Sequence, residues 1–185
     1  MNFFKTIRFY TLIAFGKLTT SISSNFRLDQ PVFLVGVNRS GTRLVENILR
    51  PAEEVLPWSE ANHLWEPHYY QFLDITSPRC EIPGFVGRGI HAHEIPRSVQ
   101  EQTKRRVKQL FWLFCQWTGK RILHRNPINS IRPQHLTNWF DNPRIIHVVR
   151  DARAAINSFV QKNKDGEYDV DELVTMGTYR WKECI

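Results

Sequence analysis

Short apolar blocks alternate with longer amphipathic blocks from residue 31 onward. The short blocks are typical of buried strands, which we predict at 31–36, 54–58, 120–124 and 144–149. The longer blocks repeat their apolar positions with helical spacing and predict helices at 42–49, 96–118, 133–140, 152–161 and 170–185. Strands that alternate with helices favour an α/β fold, in which helical crossovers join the strands of a parallel sheet.

Prolines and glycines mark several of the predicted boundaries. Pro51 ends the first helix, and Gly119 is expected to cap the helix at 96–118. Residues 62–95 are rich in His, Pro, Gly and aromatic residues, and they show no clear periodicity. We interpret this stretch as loops and short helices that face the substrate.

The link between the first strand and the first helix is the most informative motif of the chain. Gly36 and Gly41 bound a loop with P-loop spacing, and Thr42 follows directly. Backbone N–H groups in such a loop and at the helix N-terminus attract a phosphate-like anion. The Walker lysine is absent, and Arg39 is the nearby cation instead. The motif therefore predicts an anion site that differs from a simple ATP–Mg site.

A second candidate anion site follows the strand predicted at 144–149. Arg150 comes directly after this strand, and Ser158 lies eight residues further on, two turns into the next helix. A guanidinium group and a hydroxyl group that face one point suit a phosphate monoester. Ligands of open parallel sheets bind beyond the carboxyl ends of the strands, so we expect Arg150 and Arg39 to lie at the same edge.

Composition restricts the partner only to an anion. The chain has 185 residues, 42% of them hydrophobic, which fits one globular domain with its own core. Its formal net charge of +7 leaves nucleic acid, a polyphosphate cofactor and an acidic substrate open. We find no aromatic-basic sheet motif and no Cys/His finger, so we expect no nucleic-acid partner.

The two anion motifs together resemble those of sulfotransferases that use 3′-phosphoadenosine 5′-phosphosulfate (PAPS). Residues 38–42 resemble that family's loop for the 5′-phosphosulfate, and Arg150 with Ser158 resembles its 3′-phosphate pair. The stretch 150–154 is most similar to the tyrosylprotein sulfotransferase branch and its bacterial relatives. In that branch a catalytic glutamate lies where this chain has Glu60, which is 21 residues after Arg39.

The resemblance covers about residues 31–182 and implies the three-layer α/β fold of P-loop-containing nucleotide hydrolases, with a central parallel sheet. It divides the chain into an N-terminal amphipathic segment, 1–30, and a sulfotransferase domain, 31–185, which we expect to continue beyond the last residue. The implied reaction moves a sulfuryl group from PAPS to a hydroxyl acceptor, which is a peptide tyrosine, a carbohydrate or a small alcohol. No metal is expected.

The resemblance also implies a role for each site residue. Glu60 accepts the acceptor's proton, while Arg39 and Arg125 stabilise charge on the sulfuryl group and the leaving phosphate. Arg150 and Ser158 bind the 3′-phosphate. The residues expected to bind the 5′-phosphosulfate form the loop and the helix start: Asn38, Arg39, Ser40, Gly41, Thr42 and Arg43.

Arg125 departs from the resemblance, because the segment His124–Pro127 matches one that carries a catalytic lysine in the tyrosylprotein branch. An arginine stabilises charge but does not readily donate a proton, so the general-acid role does not carry over. A structural salt bridge is the alternative interpretation of Arg125. His124 is a second candidate base.

Three further alternatives stay open at this stage. The first is a P-loop kinase or NTPase, and the second is a non-catalytic anion-binding fragment. The third is a metal site, for which the candidate ligands are loop histidines: His63, His68, His91 and His93.

The N-terminal segment 1–30 admits two interpretations. Lys5, Arg8 and Lys17 interrupt its apolar residues, so no uncharged run of about 18 apolar residues is present to span a membrane. The segment either packs on the domain as an amphipathic helix or lies on a membrane surface. We expect a cytoplasmic protein, with the Golgi lumen as the alternative.

Overall fold

The computed structural model describes residues 30–59, 97–166 and 168–185. Within these ranges, four parallel strands form one sheet in the order β2–β3–β1–β4. The strand predictions are confirmed, with each end within two residues of the expected position. The strands are β1 (Val32–Val35), β2 (Val55–Ser59), β3 (Arg121–Arg125) and β4 (Arg144–His147).

The helices of the described ranges also lie where the periodicity predicts them, again to within two residues at each end. Gly119 caps the long second helix as expected, since its φ is +66° and its N–H donates to the Cys115 carbonyl over 2.8 Å. A short 3₁₀-helix, Pro127–Ile131, was not predicted. The α-helices are α1 (Thr42–Leu49), α2 (Arg97–Thr118), α3 (Pro133–Trp139), α4 (Ala152–Asn163) and α5 (Val170–Glu183).

Helices cover both faces of the sheet. Phe33 and Leu34 are neighbours on β1, so their side chains point to opposite faces, and both are 0% exposed. The Phe33 ring packs against Phe111 of α2, with 6.4 Å between the ring centroids. On the Leu34 face, Arg125 of β3 lies beside Leu34 in the strand register. It forms a salt bridge with Glu46 of α1. The arrangement is the three-layer α/β fold that the sequence predicts.

The main apolar core lies between the sheet and helices α2 and α3. Burying one large apolar side chain contributes about 1.5–3 kcal/mol, so this cluster provides much of the force that holds the long helix on the sheet. The aromatic rings pack closely, as Phe33 and Phe140 show with centroids 4.9 Å apart. The buried members are Phe33, Val35, Val107, Leu110, Phe111, Ile122, Leu136, Trp139 and Phe140.

The strand order positions the site. The chain leaves β1 toward β2 and β3 on one side, and then crosses to β4 on the other side of β1. The direction of the connections reverses at β1, and in parallel sheets such a switch point is where ligands bind, beyond the carboxyl ends of the strands. The loop after β1 and the segment after β4 therefore emerge side by side.

Several predictions fall outside the described residues. These concern the N-terminal segment 1–30, apart from its last residue, the loops at 62–95 with their four histidines, and the candidate base Glu60. Within the described ranges, none of the helices has the length and apolar character that crossing a membrane requires. In those same ranges, we find no group of three or more His, Cys, Asp or Glu side chains that could hold a metal ion.

Candidate functional site

The loop after β1 begins at a position where only glycine fits. Gly36 has a φ of +151°, and a Cβ built there would lie 2.5 Å from the Val148 carbonyl oxygen and 2.9 Å from Ser40 Oγ. Its N–H group donates to Ser130 Oγ over 2.8 Å, which ties the loop to the 3₁₀-helix after β3. The loop is thus clamped between the ends of β3 and β4.

Two residues of this loop have left-handed backbone conformations. Arg39 has a φ of +75°, and Gly41, which precedes α1, has a φ of +103°. For a residue with a side chain, this conformation costs about 1–3 kcal/mol and is typically found where the surrounding structure requires it. The Ser40 N–H donates to the Val37 carbonyl over 3.1 Å and closes the turn. The strained backbone of Arg39 thus falls in the predicted anion loop.

The buried hydroxyl group of Ser40 bears on whether the loop suits an anion. Its side chain is 6% exposed, and its hydroxyl oxygen has no hydrogen-bond partner among the described residues. Buried polar groups are almost always paired, so a lone hydroxyl here fits a site that takes an oxygen-rich ligand. The Ser40 N–H is already used in the turn, so the hydroxyl is the group that Ser40 offers to such a ligand.

The start of α1 completes the loop. Thr42 is the first helical residue and is 6% exposed, whereas Arg43 is exposed and Asn38 is half-buried. The first N–H groups of a helix have no acceptor within it, and they carry the positive end of the helix dipole. Residues 38–43, which the sequence predicts to bind an anion, thus comprise the end of the loop and the start of α1.

The second anion motif meets the first, as the sequence predicts. Arg39 Nε donates to Ser158 Oγ over 2.9 Å, although 119 positions separate them. Arg150 Nη1 donates to the Arg39 carbonyl oxygen over 3.0 Å. Arg39, Arg150 and Ser158 thus form one cluster at the switch point of the sheet, with two exposed guanidinium groups and a hydroxyl.

Helix α5 supports this cluster from behind. Trp181 Nε1 donates to the Arg150 carbonyl oxygen over 3.0 Å, and His147 Nε2 lies 3.0 Å from the Cys184 carbonyl oxygen. Asp151 caps α4 by accepting a hydrogen bond from the Ala154 N–H over 3.1 Å, and this bond lowers the pKa of Asp151 below its usual value. These three contacts fix the backbone on both sides of Arg150.

A buried acid organises the other side of the loop. Glu46 of α1 is 1% exposed, and its carboxylate accepts hydrogen bonds from Arg125 Nε and from the Ser59 hydroxyl. Arg50 Nη2 also donates to it, over 2.9 Å. Burial raises the pKa of Glu46, but the hydrogen bonds from Ser59 and Arg125 outweigh that effect, so the pKa lies below its usual value.

Arg125 is therefore in the salt bridge that the sequence left as its alternative interpretation. It is 5% exposed at the end of β3, and its role in charge stabilisation stays a prediction. His124 lies in the core, where its ring is 0% exposed and packs edge-on against Phe33 and Phe111. Its Nδ1 lies 2.7 Å from the Trp58 carbonyl oxygen. His124 therefore contributes to the packing of the core.

Sequence reasoning missed three residues that support the site: Glu46, Ser130 and Trp181. Glu46 was detectable in principle, since it lies four positions after Thr42 and so shares a helix face with the predicted anion loop. The other two have no comparable pattern. Ser130 is 94 positions from Gly36, and Trp181 is 31 positions from Arg150, so only the folded chain brings them into contact.

Comparison with known proteins identifies the family of the chain. The model of a family described as the sulfotransferase family matches residues 31–183, which include both anion motifs. The chain belongs to the sulfotransferase family. No curated protein matches the sequence significantly.

Two solved structures of sulfotransferases are similar to the chain. The sulfotransferase domain of the Synechococcus PCC 7002 olefin synthase is 17% identical, with a TM-score of 0.53 over 88% of this chain and 61% of that one. The sulfotransferase STF1 from Mycobacterium tuberculosis H37Rv is 15% identical, with a TM-score of 0.46 over 85% of this chain and 59% of that one. The first likeness shows a shared fold, which is that of the P-loop NTPases. This chain spans about three fifths of the length of each of the two solved chains.

Proposed function

We propose that this sulfotransferase-family chain transfers the sulfuryl group of PAPS to a hydroxyl acceptor. The observation that carries the proposal is the meeting of Arg39, Arg150 and Ser158 at the switch point of the sheet, with 2.9 and 3.0 Å hydrogen bonds between them. PAPS has phosphate groups at both ends of its ribose, and two adjoining anion motifs suit such a molecule. ADP lacks the 3′-phosphate and would engage only one of them.

The described residues divide between the two ends of PAPS. The loop at 38–43 faces the 5′-phosphosulfate with helix N–H groups and the unpaired Ser40 hydroxyl. Arg150 and Ser158 bind the 3′-phosphate through charge-assisted hydrogen bonds. A bound 3′-phosphate would take the place of Arg39 as the partner of Ser158, and this exchange would release the Arg39 guanidinium toward the sulfuryl group.

The proposed reaction is an in-line displacement at sulfur. An acceptor oxygen forms a bond to the sulfuryl sulfur while the bond from sulfur to the bridging phosphate oxygen breaks, and 3′-phosphoadenosine 5′-phosphate (PAP) leaves with that electron pair. Such transfers depend mainly on positioning and charge stabilisation, as phosphoryl transfer does. Arg39 and Arg125 would stabilise the negative charge that develops on the sulfuryl and bridging oxygens. No step of this scheme requires a metal.

Glu60 is the proposed base, which accepts the proton of the acceptor hydroxyl. It directly follows Ser59, the last residue of β2. We expect Glu60→Ala to abolish sulfuryl transfer, because the acceptor hydroxyl would lose its proposed base, while PAP affinity stays within about twofold of that of the unaltered chain. Steady-state kinetics with calorimetric PAP binding check both parts. Retained turnover in Glu60→Ala contradicts the assignment.

The acceptor is proposed only as a class. A glutamate base suits a peptide tyrosine, a carbohydrate hydroxyl or a small alcohol equally well, and the cytoplasm remains the proposed compartment. A panel of phenols, sugars and tyrosine peptides with radiolabelled PAPS would separate the three classes.

Thermal unfolding with nucleotides tests the proposed function most directly. A ligand at 100 times its Kd stabilises the folded state by about 2.7 kcal/mol, which shifts the midpoint measurably. We expect PAP to raise the unfolding midpoint and ADP to raise it much less, because only PAP engages Arg150 and Ser158. Arg150→Ala should remove the difference between the two nucleotides. A shift with ATP–Mg alone would favour a kinase, and no shift with any nucleotide would contradict the proposal.

A further inference from the structure

Glu46 belongs to none of the motifs found in the sequence. Its buried carboxylate nevertheless joins three elements at the edge of the site. Glu46 is on α1, one turn beyond Thr42 and on the same face, and both side chains are buried. Its carboxylate accepts from Arg125 at the end of β3 and from Ser59 at the end of β2. Ser59 and Arg125 are also direct neighbours in the parallel register. The helix that starts at the anion loop is thus tied to two strand ends.

The orientation of α1 is unusual for an amphipathic helix. Leu44 and Ile48 are 65% and 66% exposed, whereas the acid between them is 1% exposed. The chain therefore turns Glu46 toward the sheet and leaves apolar side chains outside. Hydrophobic burial alone would favour the opposite rotation of the helix.

A buried ion pair rarely stabilises a fold more than apolar side chains of similar volume would. Stability therefore gives little reason for Glu46 and Arg125 to be buried together here, and a function at the site edge gives a better one. The contact runs through Nε of Arg125, and because the guanidinium is planar, holding Nε sets the plane of the whole group.

We propose that Glu46 is a positioning residue, which holds the guanidinium of Arg125 in the orientation that stabilises the transferring sulfuryl group. The inference rests on the proposed function, because it takes Arg125 as a group that contacts that sulfuryl. Glu46 itself acts through Arg125. It also links the rotation of α1, and with it the anion loop, to the position of Arg125.

The test compares two ligands that differ only by the sulfuryl group. Calorimetry gives the Kd of PAPS and of PAP for the unaltered chain, Glu46→Gln, Arg125→Met and the double variant. The Kd of PAP is the reference for each protein, so that any change in the anion loop or in the contacts to the 5′-phosphate, which both ligands share, cancels in the ratio of the two affinities. PAPS affinity relative to PAP should fall about tenfold in Arg125→Met, and by a similar factor in Glu46→Gln. The double variant should be no worse than Arg125→Met.

Arg50 offers a matched control. It donates to the same carboxylate, but its side chain is 57% exposed, and it is not part of the proposed site. Arg50→Gln should therefore leave the ratio of PAPS to PAP affinity unchanged. A second readout is the ¹⁵N-bound Nε proton of Arg125, which should be protected from solvent exchange in the unaltered chain and in Arg50→Gln, but not in Glu46→Gln.

Each outcome has a separate meaning. A ratio that falls in Arg125→Met but not in Glu46→Gln overturns the positioning role and leaves the proposed function intact. A ratio that changes in neither variant removes Arg125 from the reaction, and the positioning role with it, while PAP binding would still support the cofactor. Failure of the unaltered chain to bind either ligand overturns both proposals. If Glu46→Gln does not fold, Glu46→Asp replaces it, because it keeps the charge but shortens the reach, and the ratio should still fall several-fold.

Discussion

At the scale of single residues, Arg39 links the two anion motifs. Its backbone adopts a φ of +75°, its carbonyl accepts from Arg150, and its guanidinium donates to Ser158. One residue thus takes part in both halves of the proposed cofactor site. The strained backbone is consistent with this use, because strain at a functional position is maintained only where the surroundings enforce it.

Arg150→Ala should weaken PAP binding by about 1.5–3 kcal/mol, the value of a charge-assisted hydrogen bond, and should change ADP binding little. Arg153 is the matched control, since it lies three residues further on and its side chain is 93% exposed. Arg153→Ala should leave both affinities nearly unchanged. Titration calorimetry at constant ionic strength measures the PAP and ADP affinities of the two variants and of the unaltered chain. Equal losses for PAP and ADP would contradict the 3′-phosphate assignment.

His135 gives the fold a predictable acid sensitivity. It is 2% exposed, stacks on Trp139 with 4.2 Å between ring centroids, and has no hydrogen-bond partner for either ring nitrogen among the described residues. Burial, together with the charge of Arg132, lowers its pKa from 6.5 to about 4. In the unfolded chain His135 therefore becomes protonated as the pH falls below 6.5, whereas in the folded chain it stays neutral until about pH 4.

The sign follows from this difference: His135 makes the folded state less stable as the pH falls from about 6.5 to about 4. In His135→Phe this loss should be absent, so the variant's unfolding free energy should decline less, by up to about 3 kcal/mol at pH 4. Urea unfolding at a series of pH values measures the unfolding free energy of both proteins. Glu46, whose pKa is lowered from 4.5, adds a loss of stability that begins as the pH falls below 4.5 and that both proteins share. Parallel pH profiles would contradict the assignment.

At the scale of elements, the loop after β1 and the helix α1 act as one unit. Gly36 lets the chain pass between the Val148 carbonyl and Ser40, and Glu46 anchors the helix one turn beyond the loop. Displacing either end would therefore move the whole anion loop.

The two loop glycines should respond differently to substitution. A Cβ at Gly36 meets the Val148 carbonyl oxygen at 2.5 Å, whereas a Cβ at Gly41 meets nothing within 4 Å. Both positions have positive φ, so Gly41→Ala should cost about 1–2 kcal/mol of backbone strain, and Gly36→Ala more than that because of the added clash. Chemical denaturation of the two variants measures the difference. Equal losses would show that the Val148 contact does not constrain the loop.

At the scale of the whole molecule, the chain's last described helix supports a site built near its first described strand. Helices α4 and α5 pack together through a cluster that includes Phe159, Leu173 and Met176. From this pair, Trp181 reaches the Arg150 carbonyl, and its ring packs near Val37. Helices α4 and α5 thus hold Arg150 and Ser158 against the loop after β1.

Trp181→Phe tests this support. It keeps an aromatic ring but removes the N–H that donates to the Arg150 carbonyl over 3.0 Å. We expect a loss of about 1 kcal/mol in stability and a several-fold weaker PAP affinity, since Arg150 would be held less firmly. Trp117, 75% exposed on α2, is the control, and Trp117→Phe should change neither. Unchanged PAP affinity in Trp181→Phe would show that Arg150 needs no support from α5.

Periodicity predicted the type and order of the strands and α-helices that the structure describes, because burial against a sheet imposes its spacing on each segment. It did not predict the 3₁₀-helix at Pro127–Ile131, which is too short to show a period. It also gives no indication that Glu46 is buried while Leu44 and Ile48 are exposed, since local hydrophobicity favours the reverse.

The sequence by itself determined the α/β class and the tight glycine-bounded turn between β1 and α1, because these depend on local spacing and on residue chemistry. The tertiary structure alone decided which groups meet. Arg39 reaches Ser158 across 119 positions, and Glu46 reaches Arg125 across 79. Such contacts depend on strand order and helix rotation, which are set by packing over the whole sheet, so no short stretch of sequence determines which partners meet.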